Sequence, residues 1–237
     1  MNLYKFQTVN DWSINALKNF SLFFATPNKL NDPTEGMFSL LDYISSTSDI
    51  PDVSELQKIG ILSMASGDDS SIEESPFMWA HYGNALQGFC LVFDYDKLTN
   101  CLDEHIEKSG HIIYQKHSML LSSDNLISES WGVEKPPGVD FIWQNLQRIY
   151  DACFFHKPLP FENEQEFRFI SKSSGLIPYE PSSLVKIIIG NKMSCTDRER
   201  LVLVLSELGI KHKVAFAKAH INSFKIHITC DCLVDPI

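Results

Sequence analysis

The sequence lacks the signals that direct a chain into or across a membrane. Its N-terminus, MNLYKFQTVNDW, has no positively charged start followed by an apolar run, as a secretory signal requires. No apolar stretch approaches the ~18 residues of a membrane span. We therefore expect a soluble, cytoplasmic protein with no membrane partner, unless a specialised secretion system exports it.

Signatures of three common enzyme classes are also missing. No G-x-x-x-x-G-K-[ST] loop and no G-x-G-x-x-G turn occurs, which disfavours a P-loop NTPase and a Rossmann dehydrogenase. No G-x-S-x-G elbow is present either, which weakens the case for a serine hydrolase.

Cysteine is sparse and scattered. Only Cys230 and Cys232 of the six cysteines lie close together, which favours free thiols in a reducing compartment. These two thiols lack the second pair that a structural zinc site needs. The histidines other than His81 show no metal-ligand spacing. We therefore expect no intrinsic metal site.

Basic residues are outnumbered, since 30 acidic residues stand against 20 basic ones and the formal net charge is -10. The electrostatic field of a chain with this charge repels phosphate backbones, so we expect no general nucleic-acid binding. A small local basic patch remains compatible with the negative net charge. A hydrophobic content of 44% and a charged content of 21% are typical of a folded protein, and the length fits one domain over 1–237.

Short apolar runs indicate strands, and fewer segments show the apolar spacing of a helix. The two kinds do not alternate as they would in a doubly wound fold. We predict a single α+β domain with a mixed or antiparallel sheet and several flanking helices. An acidic segment, 67–75, is expected to be a mobile surface loop. The predicted strands are 3–6, 21–25, 61–65, 88–95, 112–114, 167–171, 184–189, 211–217 and 224–229, and the predicted helices begin near 9, 76, 139 and 196.

The most informative segment is 161–169, FENEQEFRF. On a strand, Glu164, Glu166 and Arg168 share one face, because side chains alternate with period two. In one interpretation this is an edge strand with a salt-bridged outer face. In the other interpretation, two acids lie where the chain enters a strand. One has its pKa raised, or its carboxylate oriented, by the neighbouring acid, and the other is held in place by Arg168. That arrangement suits chemistry at a developing positive charge.

Two further segments have a structural and a functional interpretation. The sequence predicts an ordered turn at Asn31-Asp32-Pro33-Thr34-Glu35. Because this turn follows the second predicted strand, we expect it at the rim of the candidate site. In Met78-Trp79-Ala80-His81-Tyr82, helical spacing favours Trp79 and Tyr82 as core residues over ligand contacts. His81 is a candidate base, although a lone helix histidine is more often packed or hydrogen-bonded.

These landmarks together resemble a large, mostly bacterial family of unassigned function, the domain of unknown function 2971. The resemblance rests on a Leu-Tyr-Lys-aromatic start, an Asn-Asp-Pro-x-Glu, a Trp-x-x-Tyr helix before a Gly-x-x-x-x-Phe strand, and a Glu-x-Glu-x-Arg strand. In this chain those motifs are 3–6, 31–35, 79–82, 88–93 and 164–168, and Ile189-Gly190 also fits. The family name supplies no reaction.

A second resemblance, to ADP-ribosyltransferases, concerns mechanism. These enzymes carry a basic or His residue on an early strand, a Ser/Thr-containing second strand, and a late strand entered by Glu/Gln-x-Glu, whose second Glu is catalytic. The chain offers Lys5, Thr26 and Glu164-x-Glu166 in that order. It departs from the pattern at Lys5, where Arg or His is expected, because an ammonium does not reproduce a guanidinium fork on phosphates. It also departs at Ala25, where the arginine-type enzymes carry a Ser.

The resemblance implies an ADP-ribosyltransferase-like fold and NAD as the substrate. Glu166 would hold the ribose hydroxyl and stabilise the oxocarbenium-like state as nicotinamide leaves, and Glu164 would orient or deprotonate the acceptor. We predict that Lys5, Thr26, Glu164 and Glu166 line one cleft. The implied NAD-binding residues are Lys5 near the phosphates, Thr26 orienting Glu166, and Tyr4, Phe24 and Tyr82 as aromatic walls.

Three functions compete at this point. The first is an NAD-consuming transferase or NAD glycohydrolase, acting as a toxin, effector or defence component on a protein acceptor. The second is a non-enzymatic module whose acidic segments, 67–75 and 122–134, bind a basic protein partner. The third is a phosphoester hydrolase in which Asp32, Glu35, Glu164 and Glu166 hold a divalent cation.

Overall fold

Strands and helices contribute similar numbers of residues to the described part of the chain. The computed structural model describes residues 1–30, 58–116, 151 and 154–230. The strands in these ranges are β1 (Asn2–Gln7), β2 (Ser21–Phe24), β3 (Gly60–Gly67), β4 (Phe89–Asp94), β5 (Ile106–His111), β6 (Ile113–Gln115), β7 (His156–Pro158), β8 (Glu166–Ser171), β9 (Gly175–Pro178), β10 (Leu184–Gly190), β11 (Val214–Ala219) and β12 (Ile226–Thr229).

Eight of these strands form one mixed sheet in the order β12-β11-β10-β4-β1-β3-β8-β5. Neighbouring strands are antiparallel except β10 and β11, which are parallel. Two small sheets accompany it, an antiparallel β2–β9 pair and a parallel β6–β7 pair. The predicted α+β class with a mixed sheet is confirmed.

Helices connect and cover the strands. None in the described part of the chain is long and apolar enough to cross a bilayer. The α-helices are α1 (Asp11–Lys18), α2 (Asp69–Ile72), α3 (Pro76–His81), α4 (Tyr95–Leu102) and α5 (Cys195–Glu207), and the 3-10 helices are Pro27–Lys29, Asn84–Leu86, Asp103–His105, Leu159–Glu164, Pro181–Ser183 and Lys211–Lys213.

Capping side chains fix where the helices begin. Ser75 Oγ accepts a hydrogen bond from the Met78 backbone N–H, and proline occupies the first turn of α3, as the sequence predicts. The cap of α5 differs from the prediction. Ser194 Oγ accepts from the backbone N–H of Asp197, so α5 begins earlier than the capping box expected at Thr196.

The two faces of the main sheet carry separate apolar clusters. On the face that we call the Leu3 face, Leu3 and Leu91 pack against buried side chains of α1, α4 and α5. On the opposite face, the Tyr4 face, Tyr4 and Val92 pack with Trp79 of α3. The candidate site lies on the Tyr4 face, because Glu166 is linked in register to Tyr4 through β3.

Two elements differ from the sequence predictions. The segment 67–75 is not a mobile loop, because it contains α2 and buries Ile72 and Glu73. Helix α4 is not among the predicted elements, since the predicted strand ends at Tyr95 and no element is assigned to 96–102; in the structure Asp94 Oδ1 caps the Lys97 N–H and Leu98 is buried one turn later.

Several predicted features lie outside the described residues. They are the 31–35 turn with Asp32 and Glu35, the acidic segment 122–134, most of the predicted helix at 139–155, and Cys153 and Cys232.

Candidate functional site

The candidate site lies at the start of β8, in the interior of the main sheet between β3 and β5. All six residues of β8 are buried. The interpretation of this segment as an edge strand with an exposed charged face is therefore wrong. Glu164 is not part of the strand, because it ends the preceding 3-10 helix and Gln165 (φ 45°) turns the chain between the two acids.

Four charged side chains meet there and form what we call the charged cluster: Lys157, Glu164, Glu166 and Arg168. None is more than 7% exposed. Lys157 Nζ lies 2.8 Å from Glu164 Oε2 and 2.6 Å from Glu166 Oε2, so one ammonium joins the two carboxylates. Two carboxylates facing two cations give the cluster a formal charge of zero, which is the condition under which burial of charges is tolerated.

Arg168 holds Glu166 by a two-pronged contact. Its Nε and Nη2 donate to the two oxygens of Glu166, at 2.5 Å to Oε1 and 3.2 Å to Oε2. Its Nη1 donates to the carbonyl oxygen of Phe154 at 2.8 Å. The guanidinium is fully buried, so the orientation of the Glu166 carboxylate is fixed from the interior of the protein.

Two tyrosine hydroxyls complete the surroundings of the acids. Tyr82, directly after α3, donates from Oη to Glu164 Oε1. Tyr114 Oη accepts a hydrogen bond of 2.8 Å from the backbone N–H of Glu166. Burial raises the pKa of Tyr114 to about 12, and burial together with the Glu164 carboxylate raises the pKa of Tyr82 well above its ordinary value. Both phenols are therefore protonated at neutral pH.

The charge state of Glu166 follows from its cationic neighbours. Burial by itself would raise the pKa of this carboxyl, but the charges of Arg168 and Lys157 outweigh burial and lower the pKa to about 2. Glu166 is therefore a carboxylate at neutral pH, in a place that water hardly reaches.

Short side chains separate the charged cluster from the aromatic residues of β1. Along one row of the sheet Tyr4 is opposite Ala65, which is opposite Glu166. In the next row Ser63 is opposite Arg168. Because partners in register point to the same face, β3 contributes a strip of two small residues between Tyr4 and the charged cluster.

Lys5 is opposite Leu91 of β4, so its side chain leaves β1 on the Leu3 face, but its ammonium reaches β3. Pairing between β1 and β3 ends at Tyr4 and Ala65, and beyond that point Lys5 Nζ donates to the carbonyl oxygen of Ser63 at 2.8 Å. Burial of the ammonium lowers the pKa of Lys5 to about 8, while the negative charge of Glu166 acts in the opposite direction. Lys5 and Glu166 are therefore electrostatically coupled across β3.

Tyr4 and Tyr82 lie on the Tyr4 face with the acids, but Tyr4 also serves the structure. Its Oη donates to Asp69 at the start of α2, and its side chain is 1% exposed. Phe24 is placed differently from the prediction, since it is fully buried in the cluster on the Leu3 face. Phe24 therefore cannot be a wall beside Glu166.

Thr26 is not brought to Glu166. Its Oγ1 donates to Asn28 Oδ1 at 2.6 Å, within its own turn. The preceding residue, Ala25, bridges to Ile61, which is opposite Ile170 on β8. That position is four residues from Glu166, or about 13 Å along the strand. The residue of the neighbouring strand that does lie beside the charged cluster is Ser63.

Sequence patterns did not identify Lys157, Tyr114 or Ser63. Lys157 lies on a three-residue strand, β7, and no spacing relates it to the acids that it bridges. Ser63 is one polar residue inside the apolar run of β3. It could have been identified only if the sequence had shown that β3 is the neighbour of β8. Their assembly depends on β3, β7 and β8 meeting.

Metal-ligating side chains do not gather in threes anywhere in the described ranges. Within the charged cluster, the space between Glu164 and Glu166 is taken by the Lys157 ammonium. Asp32 and Glu35, the other two residues of the predicted divalent-cation set, lie outside the described residues.

Comparison with known proteins gives one result about this region. Residues 78–169 match the model of a family described as a protein of unknown function, DUF2971. The matched range contains most of α3, all of β4 and the start of β8, including Tyr82, Glu164 and Arg168. No curated protein and no solved structure matches the chain significantly.

Proposed function

We propose that the chain consumes NAD as an ADP-ribosyltransferase or NAD glycohydrolase, with its reacting site on the Tyr4 face beside Glu166. One observation supports this most. The adjacent strands β1, β3 and β8 carry Lys5, Ser63 and Glu166, in the order basic residue, serine, glutamate, and the Lys5 ammonium reaches β3 from the Leu3 face. The same order of residue types along the chain is the basis of the resemblance to ADP-ribosyltransferases.

In this proposal Glu166 is the catalytic carboxylate. Loss of nicotinamide leaves positive charge on the ribose, and a carboxylate that is ionised and fixed in place stabilises that charge without reorganising. The low pKa of Glu166 keeps it ionised, and Arg168 fixes its orientation. For the ribose to reach Glu166, its hydroxyl must take over part of the hydrogen bonding now supplied by Lys157.

Glu164 and Lys5 have separate roles. Glu164 orients the acceptor, either a protein side chain or water, and its hydrogen bond with Tyr82 sets the direction of the carboxylate. Lys5 would contact the NAD phosphates through its ammonium, which approaches β3 from the Leu3 face and gives one of its three N–H donors to the Ser63 carbonyl. Ser63 takes the positioning role that the resemblance to ADP-ribosyltransferases implied for Thr26.

The test is release of nicotinamide from NAD by the purified full chain, with and without magnesium. We expect release that does not require magnesium. Glu166→Gln should lower the rate at least ~100-fold, and Ser63→Ala about tenfold. Glu107→Gln, an exposed acid on β5, is the matched control and should keep the wild-type rate.

The design distinguishes a failed fold from a failed mechanism. Because Glu166→Gln disturbs a buried ion pair, its melting curve is recorded alongside, and Tyr82→Phe tests the site while leaving the ion pairs of Glu166 intact. No nicotinamide release by the wild type contradicts the proposal, as does full activity in Ser63→Ala and Glu166→Gln. Magnesium-dependent cleavage of a phosphoester would instead support the hydrolase.

A non-enzymatic role is the second candidate, and the burial of the charged cluster favours it. In that case the four charges would hold β7 and β8 together and serve no substrate. The predicted acidic docking segment 67–75 is less available than expected, because Asp69 accepts from Tyr4 and Glu73 pairs with Lys186. An inert wild type that captures a basic protein partner would support this candidate.

A further inference from the structure

The hairpin formed by β11 and β12 presents two large apolar side chains at its tip. The backbone N–H of His220 donates to the Lys225 carbonyl at 3.0 Å and closes a loop of four residues. Ile221 and Phe224 begin and end this loop, and they are 90% and 99% exposed. No other large apolar side chain in the described ranges is as exposed as these two.

Basic residues surround the tip. Lys218 and His227 are opposite each other on β11 and β12, and both are exposed, as are His220 and Lys225. The segment 208–230 contains four lysines and three histidines, whereas all 30 acidic residues of the chain lie outside it. A chain with a net charge of -10 therefore carries a locally positive hairpin.

The hairpin is held firmly at its base. Ile226 is buried on the Tyr4 face with Ala217, and its backbone N–H donates to the Glu74 carbonyl at 3.1 Å. Glu74 Oε2 also lies 3.4 Å from Lys225 Nζ, but the Lys225 side chain remains 69% exposed. The tip is thus supported by the core while its apolar side chains take no part in the core.

Although the sequence predicted no membrane partner, we propose that this tip docks on the surface of an anionic phospholipid bilayer. Ile221 and Phe224 enter the interface between headgroups and acyl chains, and Lys218 and Lys225 face the headgroup phosphates. Burial of the apolar side chains and attraction between the lysines and anionic lipid then both contribute to binding, and neither contribution alone is strong. Docking at this edge is independent of the NAD chemistry proposed for the Tyr4 face.

The composition of the tip favours a bilayer over a nucleic acid. A single-stranded nucleic acid would use Phe224 for base stacking and the lysines for phosphates, but it offers no partner for the aliphatic side chain of Ile221. A bilayer accepts both apolar side chains. It also needs contact with the hairpin alone, so the acidic remainder of the chain can stay away from the anionic surface.

Flotation with lipid vesicles tests the proposal. We expect the full-length protein to float with vesicles of phosphatidylcholine and phosphatidylserine in equal amounts, and not with vesicles of phosphatidylcholine alone. The double variant Ile221→Ser/Phe224→Ser should lower the partition coefficient about tenfold or more. Lys218→Gln/Lys225→Gln should lower it to a similar degree, and added salt should weaken binding of the wild type.

Leu203→Ser is the control, because Leu203 is also a large exposed apolar residue, 59% exposed, but lies on α5. It should float like the wild type. Retention by a single-stranded oligonucleotide without flotation would overturn the proposal in favour of nucleic acid. Absence of flotation, or equal flotation of the wild type and the tip variant, would also overturn it.

Discussion

Glu166 shows how the surroundings of one residue decide between structure and chemistry. Its carboxylate is 5% exposed and contacts both Arg168 and Lys157. From the sequence, a pair between Glu166 and Arg168 looked like an exposed salt bridge, and such a pair contributes only about 0.2 to 1 kcal/mol. The buried pair behaves differently, since removing one partner leaves the other charge without compensation.

Glu166→Gln should therefore destabilise the protein by about 3 to 5 kcal/mol, because the amide keeps the shape of the side chain and removes the charge opposite Arg168. Chemical denaturation measures this as a lower free energy of unfolding. Glu107→Gln, on the exposed side of β5, should change it by less than about 0.5 kcal/mol.

The double variant Glu166→Gln/Arg168→Met removes both charges of this ion pair. Replacing both partners should recover part of the lost stability, since no guanidinium is then buried without its carboxylate. A Glu166→Gln protein as stable as the wild type would contradict the buried ion pair as a stabilising contact.

At the scale of elements, a strained connection before β4 depends on Gly190. Asn84, Ala85 and Leu86 all have positive φ angles, which non-glycine residues rarely adopt and which cost free energy. The Lys192 N–H donates to the Leu86 carbonyl at 3.0 Å, so the end of β10 holds this segment in place. A Cβ on Gly190 would lie 2.1 Å from the Leu86 carbonyl oxygen.

Gly190→Ala should consequently destabilise the protein by about 1 to 3 kcal/mol or more, because the backbone of β10 cannot stay so close to Leu86. Gly110→Ala on β5 is the matched control. Its Cβ would meet only the Phe155 ring, at 3.4 Å, so we expect a much smaller effect. Thermal unfolding of both variants checks this, and equal melting temperatures would show that the close approach at Gly190 is not needed.

At the scale of the whole molecule, the charged cluster makes stability depend on acid. The folded-state pKa of Glu166 is about 2, below the ordinary value of 4.5 that the unfolded chain shows. As the pH falls between these values, the unfolded state takes up a proton that the folded state does not. The stabilisation from Glu166 is therefore complete above pH 4.5 and is lost as the pH falls towards 2.

The free energy of unfolding, measured between pH 7 and pH 2 for the wild type and Glu166→Gln, tests this dependence. The difference between the two proteins should be greatest at neutral pH and should shrink below pH 4.5. Glu107→Gln should follow the wild-type curve. A difference between wild type and Glu166→Gln that does not change with pH would mean that Glu166 is not held below its usual pKa.

The sequence by itself determined the local features of this protein. Short apolar runs located β1, β3, β4, β8 and β10, and Ser75-Pro76 located the start of α3, because apolar runs and helix capping are properties of neighbouring residues. The segment from Glu164 to Arg168 could also be singled out from the sequence, since its three charges lie close together in the chain.

Only the tertiary structure decided what surrounds those charges. Strand order placed β8 between β3 and β5, so the pair of Glu166 and Arg168 is buried and does not lie on an edge strand. It also placed Ser63 beside the charged cluster, where the resemblance to ADP-ribosyltransferases had implied Thr26. Lys157 joined the acids from β7, a strand too short to leave a pattern. These contacts join residues that are distant in sequence. A single sequence does not show which distant residues are close in space, so only the fold could identify them.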